Sequence, residues 1–377
     1  MVKQNRIAAF APIATVFVSS ACIMVIELVA GRLVSPYIGQ SLYTWTTIIG
    51  VVLAGISVGN YLGGRLADIS WRRATLAGQL LLAALGCVAV LPINRFVGTL
   101  ELLMALPWPV RILTHITLVF ILPSILLGTI SPVIAKRALM VGRSTGRTMG
   151  NVYAFAIAGS IAGTFLTGYY LMAWITTTSI LSIAAGTLGG LAILYFLGSI
   201  ILSEEKGMLA TAATASEMSP SGKKGSLFNP IATVFIANGC IMMAEIAAGR
   251  IISRHYGQSI YAWTTVIGVI LAGMTLGSFL GGRWADRFSP AKTLSILFLL
   301  SSIACFCVPA ITEAVISSQI AIGYSWPMQI AFHVIAAFAL PSILLGAVGP
   351  VTAAMALAEG RGTGRTVGSI YAWGSVG

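Results

Sequence analysis

Long apolar stretches alternate with short polar or charged segments along the whole chain. The first half contains six stretches long enough to span a membrane, at 11–34, 42–64, 74–94, 110–135, 149–172 and 176–201. The second half contains four more, at 229–252, 260–282, 293–316 and 328–353, and an eleventh begins near 367. Because about 20 apolar residues in a helix cross the hydrocarbon core of a bilayer, the pattern predicts an all-α, polytopic membrane protein.

The second half repeats the first at one constant offset of 218 residues, without a gap. Eleven polar, aromatic or proline positions illustrate it: Cys22, Glu27, Arg32, Trp45, Asp68, Cys87, His115, Pro123, Pro132, Arg147 and Tyr153 recur as Cys240, Glu245, Arg250, Trp263, Asp286, Cys305, His333, Pro341, Pro350, Arg365 and Tyr371. Many transporters form their pathway between two such pseudo-symmetric halves. We expect a first six-helix repeat at 1–202, a polar linker at 203–226, and a second repeat at 227–377.

The counterparts of 160–201 are absent from the second repeat. The second repeat therefore lacks most of an eleventh helix and all of a twelfth. Half a spanning helix would leave backbone groups without partners in hydrocarbon. We therefore expect the given sequence to be incomplete.

Basic residues divide unequally between alternate loops. With the N-terminus inside, 17 Lys and Arg residues fall on the cytoplasmic side: Lys3, Arg6, Arg65, Arg72, Arg73, Lys136, Arg137, Arg143, Arg147, Lys206, Lys223, Lys224, Arg283, Arg287, Lys292, Arg361 and Arg365. Five fall on the other side, namely Arg32, Arg95, Arg111, Arg250 and Arg254. This bias predicts a cytoplasmic N-terminus, and six helices in each half make the repeats parallel.

Composition narrows the possible partners. Hydrophobic residues make up 57% of the chain and charged residues only 8%, which leaves too little polar surface for a soluble protein of 377 residues. The net charge of +12 is spread over loops between apolar runs, so it marks topology and not nucleic-acid binding. The lipid bilayer is the expected partner, and the bacterial inner (plasma) membrane is the expected location.

One loop motif is repeated on the expected cytoplasmic side. Gly64-Arg65-Leu66-Ala67-Asp68 precedes Arg72 and Arg73, and Gly282-Arg283-Trp284-Ala285-Asp286 precedes Arg287. The motif resembles the helix 2–3 signature of the major facilitator superfamily. An Asp at a helix end beside basic residues can form a charge latch that conformational change makes or breaks, so we predict a latch of Asp68, Arg72, Arg73, Asp286 and Arg287. The alternative is a basic loop that only sets topology.

Further motifs extend the resemblance over nearly the whole chain. They are Glu27-x3-Gly31-Arg32, Ser41-Leu42-Tyr43-x-Trp45, Leu122-Pro123-Ser124-x-Leu126-Leu127-Gly128-x3-Pro132 and Gly146-Arg147-x2-Gly150-x2-Tyr153. Together they resemble the membrane part of fused facilitator/spermidine-synthase proteins. The resemblance implies a major-facilitator-like fold of two parallel six-helix repeats, the second truncated here. Such proteins usually carry a cytoplasmic aminopropyltransferase-like domain. No strand and Gly-rich loop for that activity occurs in this chain, so we expect no catalysis and no cofactor.

Glu27 and Glu245 are the acids most clearly within apolar stretches. A carboxylate there costs roughly 2.5–3.5 kcal/mol unless it is paired or hydrated, so each demands a reason. Residue counts along the helices put His115 and His333 at a similar depth, with Trp45 and Trp263 entering from the same side. In a facilitator-like fold, these six residues would line a central substrate-binding cavity.

Three interpretations of this polar layer remain open from the sequence. The carboxylates and imidazoles could bind a cationic amine or relay protons. They could instead form ion pairs, Glu27 with Arg32 and Glu245 with Arg250, although five residues separate the members of each pair and turn them to different helix faces. A divalent metal site is the third possibility, and our prediction is that no resident metal is present.

Glycine and proline predict packing and bending. Gly55, Gly59 and Gly63, with Gly273, Gly277 and Gly281, form stripes at a spacing of four that favour close helix packing in lipid. Two prolines in each of helices 4 and 10 interrupt backbone hydrogen bonding, either for alternating access or for static packing.

The leading functional hypothesis is a secondary transporter, or a transporter-derived membrane module, for a small organic cation such as a polyamine. The polyamine follows only from the family resemblance and the two acids. The competing hypothesis is a non-transporting membrane subunit that anchors a soluble synthase-like domain or joins a larger membrane complex. A membrane-embedded enzyme has little support, because no nucleophile and base pair occurs.

Overall fold

The computed structural model describes residues 2–39, 41–70, 72–141, 144–201, 229–257, 260–318, 323–358 and 363–377. Within these ranges it does not describe the side chains of 2–10, 42, 141, 201, 260, 261, 263 and 327. The linker expected at 203–226 lies outside the described residues. Among the described residues, ten helices are long and apolar enough to cross a membrane.

The first half contains α1 (Val2–Ile38), α2 (Leu42–Ile69), α3 (Arg73–Gly98), α4a (Trp108–Gly128), α4b (Ile130–Val141), α5 (Thr145–Phe165) and α6 (Thr177–Ile201). A short helix, Glu101–Met104, precedes α4a, and a wider π-helical turn, Leu166–Leu171, continues α5. The second half contains α7 (Pro230–Tyr256), α8 (Ile260–Arg287), α9 (Pro290–Ser318), α10a (Trp326–Gly346), α10b (Val348–Ala358) and α11 (Thr363–Val376).

Because successive spans alternate in direction, the helix ends lie on two faces. We call the face where α2 ends at Ile69 and α5 begins at Thr145 the N-side. The opposite face, where α1 ends at Ile38, is the far side. The N-side corresponds to the face that the basic residues predict to be cytoplasmic.

Helices 4 and 10 are interrupted at equivalent residues. Thr129 separates α4a from α4b, and Ala347 separates α10a from α10b. Pro132 and Pro350 explain the position, because a proline ring clashes with the carbonyl four residues earlier and cannot donate to it. Pro123 and Pro341 lie inside uninterrupted helices. Only one of the two prolines in each helix therefore coincides with a break.

The glycine stripes pack against these same broken helices, which confirms them as packing surfaces. A Cβ added at Gly59 would collide with the Ile125 carbonyl oxygen and approach the Gly128 Cα to 2.9 Å. The equivalent Gly277 meets the Ile343 carbonyl oxygen and, at 2.9 Å, the Ala347 nitrogen. Backbone therefore lies directly on backbone between α2 and α4 and between α8 and α10.

Four helix pairs carry the contact between the two halves. These are α2 with α11, α5 with α8, α4b with α11, and α10b with α5. Segments α4a and α10a pack mainly against helices of their own half. One core cluster joins first-half residues to Val234, Ala353, Ala356, Val367 and Ile370 of the second half. The N-side segments of helices 4 and 10 therefore help to seal the halves together.

Candidate functional site

Glu27 on α1 and Glu245 on α7 occupy equivalent positions in the two halves. Both side chains are half-buried, and neither has a hydrogen bond or ion pair to a residue that the structure describes. Each acid therefore lies in the apolar segment of its own half without a counter-charge among the described side chains.

The expected ion pair between Glu27 and Arg32 is absent. Arg32 turns away along its helix and its Nη1 donates to the Met172 carbonyl oxygen at 2.8 Å, just beyond the π-helical turn of α5. Arg250 is exposed and makes no ion pair with Glu245 in the described part of the chain. The spacing of five residues on a helix accounts for both results, since it separates the side chains around the helix.

Trp45 packs against α1 at Gly31, one helical turn from Glu27. A Cβ on Gly31 would lie 2.8 Å from the indole Cη2 of Trp45, so the ring lies on the backbone of α1. Gly31 is one helical turn from Glu27 and shares its face. The Glu27-x3-Gly31 spacing therefore places the glutamate on the face of α1 that Trp45 contacts one turn further along. The side chain of the equivalent Trp263 is outside the described residues.

His115 has its own hydrogen-bond network within the first half. Its ring is almost fully buried, its Nε2 donates to Asn94 Oδ1 at 2.9 Å, and it stacks on Tyr37 with ring centres 5.6 Å apart. Asn94 in turn donates to the Leu33 carbonyl oxygen at 2.9 Å. The network ties α1, α3 and α4a together near the far side. The expected contribution of His115 to a shared polar layer is not what this geometry supports.

His333 is likewise fully buried, between the rings of His255 and Tyr256 of α7. Neither histidine bonds to a glutamate among the described residues. Matched depth along a helix does not fix the direction of a side chain around it, and for the two histidines that direction is set by aromatic neighbours in their own halves. The polar layer predicted from the sequence therefore reduces to Glu27 and Glu245.

Asp68 joins the two halves on the N-side. Its Oδ1 accepts from the Gly364 backbone nitrogen at 2.7 Å and its Oδ2 from that of Arg365 at 2.8 Å, at the start of α11. Lys136 of α4b completes the arrangement with an ion pair of 2.7 Å. A carboxylate at a helix N-terminus satisfies free N–H groups and the positive end of the helix dipole.

Asp286 makes the equivalent contact in the other direction. Its two carboxylate oxygens accept from the backbone nitrogens of Gly146 and Arg147, each at 2.8 Å, at the start of α5. The equivalent of Lys136 is Ala354, so the second contact has no lysine. The two aspartates therefore connect opposite halves through pseudo-symmetric but unequal contacts.

The contacts that the structure describes for Asp68 and Asp286 are with backbone N–H groups and Lys136, and a latch with the three arginines stays a prediction. Arg73 Nη1 donates to the Gly198 carbonyl oxygen of α6 at 3.0 Å, and Arg72 and Arg287 are exposed. Loop position alone suggested arginines, whereas the actual partners are backbone N–H groups about 140 and 300 residues away in the sequence. Lys136 and the glycine-led helix starts at Gly146 and Gly364 are the residues that sequence reasoning missed. Their signal was the repeated Gly-Arg pair at both helix starts.

Glycines also allow the halves to approach each other at this level. A Cβ on Gly64 would lie 2.7 Å from the Gly368 Cα, and a Cβ on Gly282 would lie 2.7 Å from the Gly150 Cα. Helices α2 and α11, and α8 and α5, therefore cross at backbone distance. These contacts are adjacent to the two aspartates and seal the N-side.

Tyr153 of α5 and Tyr371 of α11 stack on each other across the two halves. Their ring centres are 4.7 Å apart and the rings are within 5° of parallel. Both hydroxyl oxygens are buried and lack a hydrogen-bond partner in the described structure. Because the residues are equivalent in the repeat, the stack lies on the pseudo-twofold axis and adds an aromatic layer to the N-side seal.

A separate apolar cavity of about 520 Å³ lies between α5, α8 and α10a. Its lining includes Phe165, Gly268, Leu276, Ile335 and Ala339. None of the residues predicted to bind substrate lines it. Its lining is mostly apolar, and Thr265 is the polar residue among the described lining residues.

No protein-family model matches the chain, and no curated protein matches it by sequence. Solved structures do match. The major facilitator superfamily proton:xylose symporter XylE bound to 6-bromo-6-deoxy-D-glucose is 14% identical, over 98% of this chain and 87% of that one, with a TM-score of 0.58. A bacterial homologue of the iron transporter ferroportin, in an outward-facing state, is 10% identical, over 98% and 90%, with a TM-score of 0.58. The chain therefore has the polytopic, all-α fold of major facilitator superfamily transporters.

Proposed function

We propose that this protein is a secondary transporter of a small organic cation and that Glu27 and Glu245 together bind it. The observation that carries the proposal is that two carboxyl groups, equivalent in the repeat and each in an apolar helix of its half, have no hydrogen bond or ion pair to a described residue. Burying like charges without a counter-ion is unfavourable, and a cation between them would remove both the repulsion and part of the desolvation cost.

A polyamine suits this pair by charge and shape. Each ammonium group of an extended dication could face one carboxylate, and its methylene chain could contact the apolar residues between them. The motifs shared with fused facilitator/spermidine-synthase proteins favour the same substrate class. Trp45, which contacts α1 one helical turn from Glu27, offers an aromatic face that attracts ammonium groups.

Alternating access would proceed through the N-side seal. Release to that side requires α11 to separate from Asp68 and α5 from Asp286, together with separation of Tyr153 from Tyr371. The breaks at Thr129 and Ala347 lie where α4b and α10b could swing with the opposite half. Because the sequence assigns 17 basic residues to the loops and ends of this side and five to the other, we propose that the N-side faces the cytoplasm of a bacterial inner membrane.

The test is to measure by calorimetry how tightly putrescine and spermidine bind to the purified protein in detergent. Glu27→Gln and Glu245→Gln preserve side-chain shape and remove one charge each, so each should weaken binding at least tenfold, or about 1.4 kcal/mol. Glu313→Gln, on the exposed surface of α9, is the matched control and should bind as the parent does. Equal binding by the parent and both site variants would overturn the proposal.

The competing proposal is a non-transporting subunit or anchor for a soluble aminopropyltransferase-like partner. An uptake assay in proteoliposomes distinguishes this proposal from that of a transporter. A transporter should accumulate labelled polyamine when a proton gradient is imposed, and Glu27→Gln should abolish that accumulation. An anchor should show no uptake and should instead co-purify with its partner in fixed ratio.

A further inference from the structure

The two halves differ in one cluster of side chains near the far side. In the first half, Tyr37, Asn94 and His115 form a complete arrangement, with His115 Nε2 donating to Asn94 Oδ1 and Tyr37 stacking on the imidazole. At the offset of 218 residues the same three positions hold His255, Thr312 and His333. The histidine is kept, while its hydrogen-bond partner is shortened and its aromatic neighbour becomes a second imidazole.

The second-half arrangement leaves polar atoms without partners. His333 is fully buried, and neither of its ring nitrogens has a hydrogen-bond partner among the described residues. The hydroxyl oxygen of Thr312 is buried and unpartnered as well. Gln329 occupies the position equivalent to Arg111. Its side-chain amide donates to the Tyr324 carbonyl oxygen and not to His333 or Thr312. Buried nitrogens without partners are unfavourable, so an external group that bonds to them would stabilise this site.

The imidazole of His255, beside His333, indicates that this external group is a metal ion. The rings of His255 and His333 have centres 6.2 Å apart and cross at 71°. An imidazole that ligates Zn²⁺ through a bond of about 2.0–2.1 Å has its centre about 3 Å from the ion, so two rings on one ion have centres within about 6 Å. The observed separation is at that limit, and the side chain of His255 is exposed and so has room to reorient toward an ion.

We propose that His255 and His333 bind a divalent transition-metal ion of the Zn²⁺ class at the far-side end of the second half. Neutral imidazole nitrogens suit Zn²⁺, Ni²⁺ and Cu²⁺, whereas Mg²⁺ and Ca²⁺ prefer a set of several oxygen ligands, which two imidazoles do not provide. The ion would enter beside the exposed His255, with water completing its coordination. The site is separate from Glu27 and Glu245 and does not depend on transport. Repetition-based reasoning overlooked it because His255 has no histidine counterpart.

The test uses the full chain, purified without a polyhistidine tag and titrated with Zn²⁺ by calorimetry and with Co²⁺ by absorption spectroscopy. The parent should bind one ion per chain, with a Co²⁺ spectrum that lacks thiolate charge-transfer bands. His255→Tyr, which reproduces Tyr37, should weaken binding at least tenfold. Thr312→Asn keeps both histidines but supplies the carbonyl oxygen that Asn94 gives His115, and it should also weaken binding.

Cys305 provides the matched control, because Cys240 and Cys305 lie within electrostatic range and could bind the same metals. Cys305→Ser should bind like the parent. Melting temperatures of all variants without metal should stay within a few degrees of the parent, which separates loss of a ligand from loss of fold. Binding that is lost in Cys305→Ser but retained in His255→Tyr and Thr312→Asn, or no Zn²⁺ binding by the parent, would overturn the proposal.

Discussion

At the scale of single residues, the two N-side aspartates show how equivalent positions can acquire unequal energies. Asp68 and Asp286 accept the same pair of backbone N–H groups, yet only Asp68 also pairs with a lysine. Lys136 is itself buried, so its charge depends on that carboxylate. A buried charge that loses its partner costs much more than a backbone hydrogen bond that weakens.

Asp68→Asn should therefore destabilise the protein more than Asp286→Asn. We expect a loss of about 2–3 kcal/mol for the first, since it weakens two backbone contacts and leaves Lys136 unpaired, and about 1 kcal/mol for the second. Thermal unfolding in detergent measures the difference. Adding Lys136→Ala to Asp68→Asn should recover part of the loss, because it recreates the Ala354 arrangement. Equal effects of the two single variants would show that Lys136 contributes nothing.

The stacked tyrosines offer a test of the aromatic layer at the same scale. Tyr153→Phe and Tyr371→Phe remove hydroxyls that have no partner, so each should leave stability unchanged or raise it by about 1 kcal/mol. Tyr153→Ala instead removes the ring contact and should lower the melting temperature in detergent. A clear loss of stability in both phenylalanine variants would indicate that the hydroxyls are hydrogen-bonded in the membrane.

At the scale of helices, packing depends on glycine where backbone meets backbone. Gly59 and Gly277 face backbone atoms of α4a and α10a, which cannot move away as a flexible side chain can. Other glycines have no such neighbour. A Cβ added at Gly189 of α6 meets nothing within 4 Å.

Gly59→Leu and Gly277→Leu should each prevent normal assembly, because a leucine would force the paired helices apart. We expect a large fall in yield of monodisperse protein and a melting temperature lowered by several degrees in any that folds. Gly189→Leu is the control and should behave like the parent. If both seam variants purify and melt normally, the close contacts of α2 with α4a and of α8 with α10a are not maintained.

At the scale of the whole molecule, orientation in the membrane is the quantity that the charge distribution predicts. A cysteine at Ser221, in the linker outside the described residues, should react with a membrane-impermeant reagent only from the cytoplasm. A cysteine at Leu102, exposed on the far side, should react only from outside. The native exposed Cys305 is first replaced by serine. Reaction of both positions from one side would exclude the predicted arrangement of six helices in the first half.

Several features of the fold and of the candidate site could be predicted from the sequence alone. The period of the apolar stretches predicted the ten long helices, because spanning a bilayer requires a fixed length of apolar helix. The glycine stripes predicted close packing, because glycines at a spacing of four leave one whole helix face without side chains. Glu27 and Glu245 were identified from chemistry alone, because a carboxylate in an apolar segment is costly wherever it points.

Tertiary structure decided everything that depends on direction around a helix or on distant segments. The sequence matched the depth of His115 to that of Glu27, but the ring is held by Asn94 and Tyr37 instead. The sequence suggested arginines as the partners of Asp68, but in the structure its carboxylate contacts the backbone at the start of α11 and Lys136. Repetition determined which residues are equivalent, whereas the contacts between the halves determined what each equivalent residue bonds to, because side-chain partners are set by three-dimensional neighbours and not by spacing along the chain.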